Sequence, residues 1–92
     1  MQKMTRSDID KMITQIPGWK LEGEAIKKEW QFRNFSEAMV FINKIADLAE
    51  QHDHHPELYN VYNKVSLKFR THDAGGLTLR DFKMAAEIDK LL

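Results

Sequence analysis

Residues 50–81 read EQHDHHPELYNVYNKVSLKFRTHDAGGLTLRD, and the element order of the protein follows from them. Pro56 disfavours the α conformation at the residue before it, so a helix arriving from the N-terminal side ends near His54 and the chain turns there. Beyond it Tyr59 and Val61, then Val65, Leu67 and Phe69, alternate with Asn60, Lys64, Ser66, Lys68 and Arg70, which is the period of half-buried strands. Asn63-Lys64 is the expected turn between two strands. Tyr59 and Tyr62 are expected to be strand residues on opposite faces, one of them in the core. The second strand runs out at Thr71-His72, and Asp73-Ala74-Gly75-Gly76 forms a loop. Thr78 and Asp81 then have the spacing of a capping box and open a helix carrying Phe82, Ala85, Ile88 and Leu92.

Working back towards the N-terminus, Asn34 or Ser36 can cap a long helix whose apolar positions Phe35, Met39, Ile42, Ile45, Ala46 and Ala49 form one stripe. Phe41 and Leu48 widen that stripe, which suits either a broad core contact or an oligomer interface. Before it, Trp19, Leu21, Ile26, Trp30 and Phe32 are spaced by charged residues around Gly23-Glu24, as in two strands joined by a turn. A first short helix carries Ile9, Met12, Ile13 and Ile16. Thr5 with Asp8, or Ser7 with Asp10, caps it, and Pro17-Gly18 stops it. The order is helix, two strands, helix, two strands, helix. Hairpins between paired strands make the expected fold α+β: a four-stranded antiparallel sheet with helices packed on one face, as a single domain over residues 1–92.

Composition narrows the function classes. A chain of 92 residues has room for one core, and 42% hydrophobic with 30% charged residues is ordinary globular composition. Fourteen Lys and Arg balance fourteen Asp and Glu, which removes the main electrostatic argument for nucleic-acid binding. There is no cysteine, hence no disulfide framework and no cysteine-based zinc site. Met1-Gln2-Lys3-Met4-Thr5 leads into charged sequence rather than an apolar run, and no segment has the length of a membrane span, so a soluble cytoplasmic protein is expected.

All four histidines fall between 52 and 72, interleaved with Glu50, Asp53, Asp73 and Asp81. Imidazole exchanges protons near neutral pH, which makes the cluster a candidate acid–base site. Glu50 and His54 are four apart, so a helix persisting to His54 brings them together at a helix C-terminus that favours positive charge, and His54 becomes a candidate proton donor. His55 points elsewhere from the same backbone. His72 sits at the far end of the last strand, where Asp81 can serve its helix, reach the His72 ring and fix its tautomer, or do both. His52 reads as a helix-dipole partner only. The chemical rival is a zinc or iron site on the imidazoles and carboxylates. Against it stand the absence of a His-Glu-x-x-His motif and the poor chelating spacing of adjacent His54 and His55.

The series Glu50-x3-His54-His55-Pro56-x5-Tyr62-x9-His72-x8-Asp81, with Thr71 before the last histidine and Gly76-Leu77-Thr78 after it, resembles the signature of the pterin-4a-carbinolamine dehydratase family. The resemblance extends to Trp19 after Pro17-Gly18, to Phe32-x-x-Phe35, and to Asn60-Val61-Tyr62-Asn63-Lys64-Val65. It implies a dehydratase that eliminates water from 4a-hydroxytetrahydropterin to give quinonoid dihydropterin, recycling the pterin used by an aromatic amino acid hydroxylase. It implies His54, His55 and His72 as active-site histidines and Glu50 and Asp81 as supporting carboxylates, without metal or organic cofactor. Within that set His54 and His72 are expected to move protons, and His55 with Pro56 to hold the pterin. The resemblance also implies a homo-oligomer, dimer or tetramer. Some relatives are similar to a partner of a transcription factor that binds through the long helix, which is the alternative function for this chain.

Overall fold

The Thr5 hydroxyl accepts a hydrogen bond from the Asp8 amide and starts α1 (Arg6–Ile13), whose Ile9, Met12 and Ile13 are half-buried against the core. This computed structural model describes residues 2–92. After Pro17-Gly18 the chain buries Trp19 and forms the hairpin β1 (Lys20–Glu22) and β2 (Ala25–Gln31), turning at Gly23-Glu24. Asn34 accepts from the Glu37 amide and caps α2 (Phe35–His52). A second hairpin, β3 (Glu57–Val61) and β4 (Lys64–Phe69), leads through a short 3-10 turn (His72–Ala74) to α3 (Leu79–Asp89), whose capping box is the one Thr78 and Asp81 predict.

The four strands form one antiparallel sheet in the order β1-β2-β4-β3. Alternation on β4 sends Val65, Leu67 and Phe69 to the helix side, where they meet Ile26, Ala38, Phe41, Ile45, Leu77, Phe82, Met84, Ala85 and Ile88. The expected α+β architecture is therefore present in its element order and sheet type. No helix among the described residues is long and apolar enough to cross a membrane.

Three local expectations are corrected. The buried face of α2 is Ala38, Phe41, Ile45 and Ala49, with Phe41 at 2% exposure. Phe35 and Ala46 face outward, because the helix is rotated so that Ala38, Phe41, Ile45 and Ala49 share its buried side. The β3–β4 turn falls one residue early, on Tyr62-Asn63, with Tyr62 in the left-handed region at φ 49°. Side chains set it there: Asn60 Nδ2 donates to the Tyr62 and Lys64 carbonyls, and Asn63 Nδ2 donates across the sheet to the Phe32 carbonyl. Neither tyrosine is core. Tyr59 and Tyr62 are both exposed, since β3 is an edge strand beyond the cover of the helices.

Candidate active site

The end of α2 decides where the histidines go. The helix stops at His52, two residues before the expected limit, because Asp53 adopts the left-handed conformation (φ 49°, ψ 46°). Its amide donates to the Glu50 carbonyl at 3.3 Å while the His54 amide reaches back to the Ala49 carbonyl at 3.0 Å, which is a Schellman closure. Aspartate is one of the few side chains that tolerate this conformation. Arg80 of α3 fastens the corner, donating to the carbonyls of Asp53 at 2.6 Å and His52 at 3.3 Å. Arg80 has no pattern in the sequence that would single it out, since its role depends on two helix ends meeting.

The reversal turns His54 inward. The residue is 8% exposed, and its ring stacks on Phe69, with ring centroids 5.6 Å apart and planes 19° from parallel. Its Nε2 lies 2.6 Å from Oδ1 of Asp81, a carboxylate with no exposed surface. The other oxygen, Oδ2, accepts from the Thr78 amide and the Thr71 hydroxyl, each at 2.9 Å. Asp81 thus receives three hydrogen bonds: one completes the α3 cap, one comes from the loop that carries His72, and one fixes His54. A carboxylate only accepts, so His54 carries its proton on Nε2. No buried side-chain nitrogen or oxygen among the described residues lacks a partner. Nδ1 of His54 makes no hydrogen bond to the described residues and therefore opens to the surface.

Two expected pairings are corrected here. Asp81 meets His54, not His72. Glu50 meets His55, not His54: its Oε1 lies 3.2 Å from the His55 Nε2, both side chains more than half exposed. Both follow from the left-handed Asp53, which breaks the helical spacing that would place His54 one turn above Glu50. His72 is exposed and begins the 3-10 turn immediately after Thr71, so its backbone is anchored one residue from the Asp81 contact. Pro56 is half-buried at the entry to β3, and His52 contributes only its carbonyl to Arg80. Among the described residues no three His, Asp or Glu side chains converge as a metal site requires. Thr71, Thr78 and Phe69 complete the surroundings of the His54–Asp81 pair. Thr71 stands in the signature beside His72 without a role, whereas Phe69 reads from periodicity only as a core residue.

Fold and site together describe a small α+β protein that seats an imidazole on a buried carboxylate where two helix ends meet, with a second and a third imidazole nearby in the chain. The chain belongs to the pterin 4-alpha-carbinolamine dehydratase family, whose model matches residues 2–91. Relatives provisionally named pterin-4-alpha-carbinolamine dehydratases include one from Prochlorococcus marinus strain NATL2A, 46% identical over 95% of this chain and 92% of its own length. Another, from Acidobacterium capsulatum, is 45% identical over the full length of both. A crystal structure from Brucella melitensis, described as a transcriptional coactivator/pterin dehydratase, superposes with a TM-score of 0.93 at 36% identity over 98% of each chain.

Proposed function

We propose that this protein is a hydro-lyase that eliminates water from 4a-hydroxytetrahydropterin and releases quinonoid dihydropterin. The observation that carries this is the His54–Asp81 pair: Nε2 held at 2.6 Å by a buried carboxylate, Nδ1 open to the surface. A ring so held can exchange a proton at one nitrogen without losing its orientation. The reaction breaks the C4a–O bond and makes a C4a=N5 double bond. One proton goes to the departing hydroxyl, which leaves as water, and one is taken from N5. Two imidazoles suffice for these transfers near neutral pH, and His54 and His72 are assigned to them. His55, oriented by Glu50, and Pro56 beside it are assigned to holding the pterin. Aromatic amino acid hydroxylation generates the carbinolamine, so the proposed setting is recycling of the tetrahydropterin that such a hydroxylase consumes.

A stopped-flow assay of carbinolamine dehydration tests this. Wild-type protein should accelerate the reaction over buffer, and His54→Ala and His72→Ala should each lower kcat by about 10² to 10⁴, the usual range for positioned proton transfer. Wild-type protein without acceleration would refute the activity, and either variant at full rate would refute that residue's assignment.

A second function is supported by one observation besides the description of the Brucella relative. Phe35 and Val40 on α2 are 48% and 56% exposed, which leaves apolar side chains of the long helix open to a partner. We assign the exposed surface of α2 to self-association into a homo-oligomer, with a transcription-factor partner as the alternative occupant. A monomer by light scattering at micromolar concentration would remove the homo-oligomer.

A further inference from the structure

The turn that carries His72 and the carboxylate that holds His54 meet in a single side chain. Thr71 begins the 3-10 turn His72–Ala74 from an extended conformation (φ −99°, ψ 102°), the position at which a threonine hydroxyl ordinarily caps the turn that follows. Here it makes no capping bond. The hydroxyl is aimed the other way, 2.9 Å from Asp81 Oδ2 and 2.7 Å from the Thr78 hydroxyl, at 6% exposure. Its proton must go to the carboxylate, because Asp81 can only accept, so the Thr78 hydroxyl donates to Thr71. The direction of every bond is then set: Thr78 to Thr71, Thr71 to Asp81, and His54 Nε2 to the other oxygen of Asp81.

The backbone of the same residue anchors the His72 turn. The Thr71 amide donates to the Gly76 carbonyl at 2.9 Å, and the Thr71 carbonyl accepts from the Ala74 and Gly76 amides at 3.1 and 3.4 Å. We infer that Thr71 is a positioning residue that fixes His54 and His72 relative to one another, through its hydroxyl on Asp81 and its peptide groups at the base of the His72 turn. The inference rests on the dehydratase function proposed above for its kinetic consequence, though not for its structural one. Without the hydroxyl, Asp81 retains the Thr78 amide and His54 but loses the bond that ties it to the His72 turn. The carboxylate can then rotate, and His54 rotates with it.

The test is Thr71→Val, which keeps the shape and removes the donor, beside Thr71→Ser, which keeps the donor. In ligand-free protein the His54 Nε2–H proton should resonate far downfield in the wild type. It should move and exchange faster with water in Thr71→Val, and return towards the wild-type position in Thr71→Ser. In the dehydration assay Thr71→Val should lower kcat about tenfold or more, the rate equivalent of one hydrogen bond to a charged group, with KM little changed and kcat largely restored in Thr71→Ser. Thr71→Val that folds, keeps the wild-type His54 resonance and turns over at the wild-type rate overturns the inference. So does a loss of stability in Thr71→Val with an unmoved resonance, which marks a purely structural threonine. If Thr71→Val does not fold by circular dichroism, Thr71→Ala takes its place with the same readouts. If the wild type itself shows no dehydration, the proposed function fails while the resonance still decides whether Thr71 positions His54.

Discussion

At the scale of single residues, the protein turns on Asp81, which the sequence marks twice, as the third residue of a helix and as the end of a histidine-rich signature. Both markings were legible, and one carboxylate both completes the α3 cap and contacts a histidine. Its partner was not legible. Spacing alone pairs Glu50 with His54 and leaves Asp81 for His72, and a single left-handed residue, Asp53, exchanges the partners. No periodicity reports one reversed φ angle. The consequence can be tested with Asp81→Asn. The side-chain oxygen of asparagine can still accept from the Thr78 amide and the Thr71 hydroxyl, which leaves its amide NH₂ facing His54 Nε2. Nε2 must then accept, and the ring proton moves to Nδ1, the nitrogen that opens to the surface. The expected outcome is a folded protein with kcat lowered by about 10² to 10⁴ and the opposite neutral tautomer of His54 in its ring ¹⁵N shifts. A wild-type rate from Asp81→Asn would show that the tautomer of His54 is immaterial.

At the scale of elements, the order of helices and strands was readable because each has its own period and the helices their own caps, Thr5, Asn34 and Thr78. The helix ends fall short of the prolines: α1 ends at Ile13, before Pro17-Gly18, and α2 at His52, before Pro56. What the pattern left open was rotation and register, which neighbours decide. Core contact through Ala38, Phe41, Ile45 and Ala49 fixes the rotation of α2, and Asn60 and Asn63 set the β3–β4 turn by bonding to backbone that is remote or already turned. Charge also stitches elements across the outer sheet face. Glu22 of β1 lies 3.6 Å from Lys27 of β2 and 3.2 Å from Lys68 of β4. The hydrogen bond from Lys68, then the charges of Lys27 and Lys68, hold its carboxyl below the ordinary value of 4.5. A carboxyl lowered by folding contributes stability above its unfolded value, and that contribution disappears as pH falls through its folded value. Thermal denaturation of wild type and Glu22→Gln should therefore differ by a small amount at neutral pH, the wild type being the more stable. The gap should narrow as pH falls below 4.5 and as salt rises, because the group is exposed and screened. A gap that widens towards acid would assign the effect to something other than this ion pair.

At the scale of the whole molecule, site and core are one structure. β4 lies inside the sheet, between β2 and β3, and its last residue, Phe69, has no exposed surface. One side of that ring meets Trp19 at 6.1 Å, and His54 stacks on it at 5.6 Å. Trp19 is in turn fixed by Asp89 at the end of α3, which accepts from the indole N–H at 3.2 Å and from Lys28 at 3.0 Å. The floor under His54 is thus held by the hydrophobic interior and by both ends of α3, Asp81 at the start and Asp89 at the finish. Hydrophobic periodicity predicts Phe69 as core but says nothing of the histidine resting on it, because stacking depends on where a distant helix ends. Phe69→Leu separates the two roles. It keeps the site apolar but removes ring surface, so stability should fall by roughly 1–2 kcal/mol, less than the cost of truncation to alanine. For a chain of this length that corresponds to a fall in Tm of about 4 to 8 °C for each kcal/mol. At temperatures where the variant remains folded, His54 keeps its bond to Asp81 but loses the surface that holds the plane of its ring. kcat should then fall severalfold beyond any loss of folded protein, and the His54 ring resonances should broaden. Turnover per folded molecule equal to wild type, after correction by a denaturant titration, would show that Asp81 alone orients the imidazole and that Phe69 serves only the core.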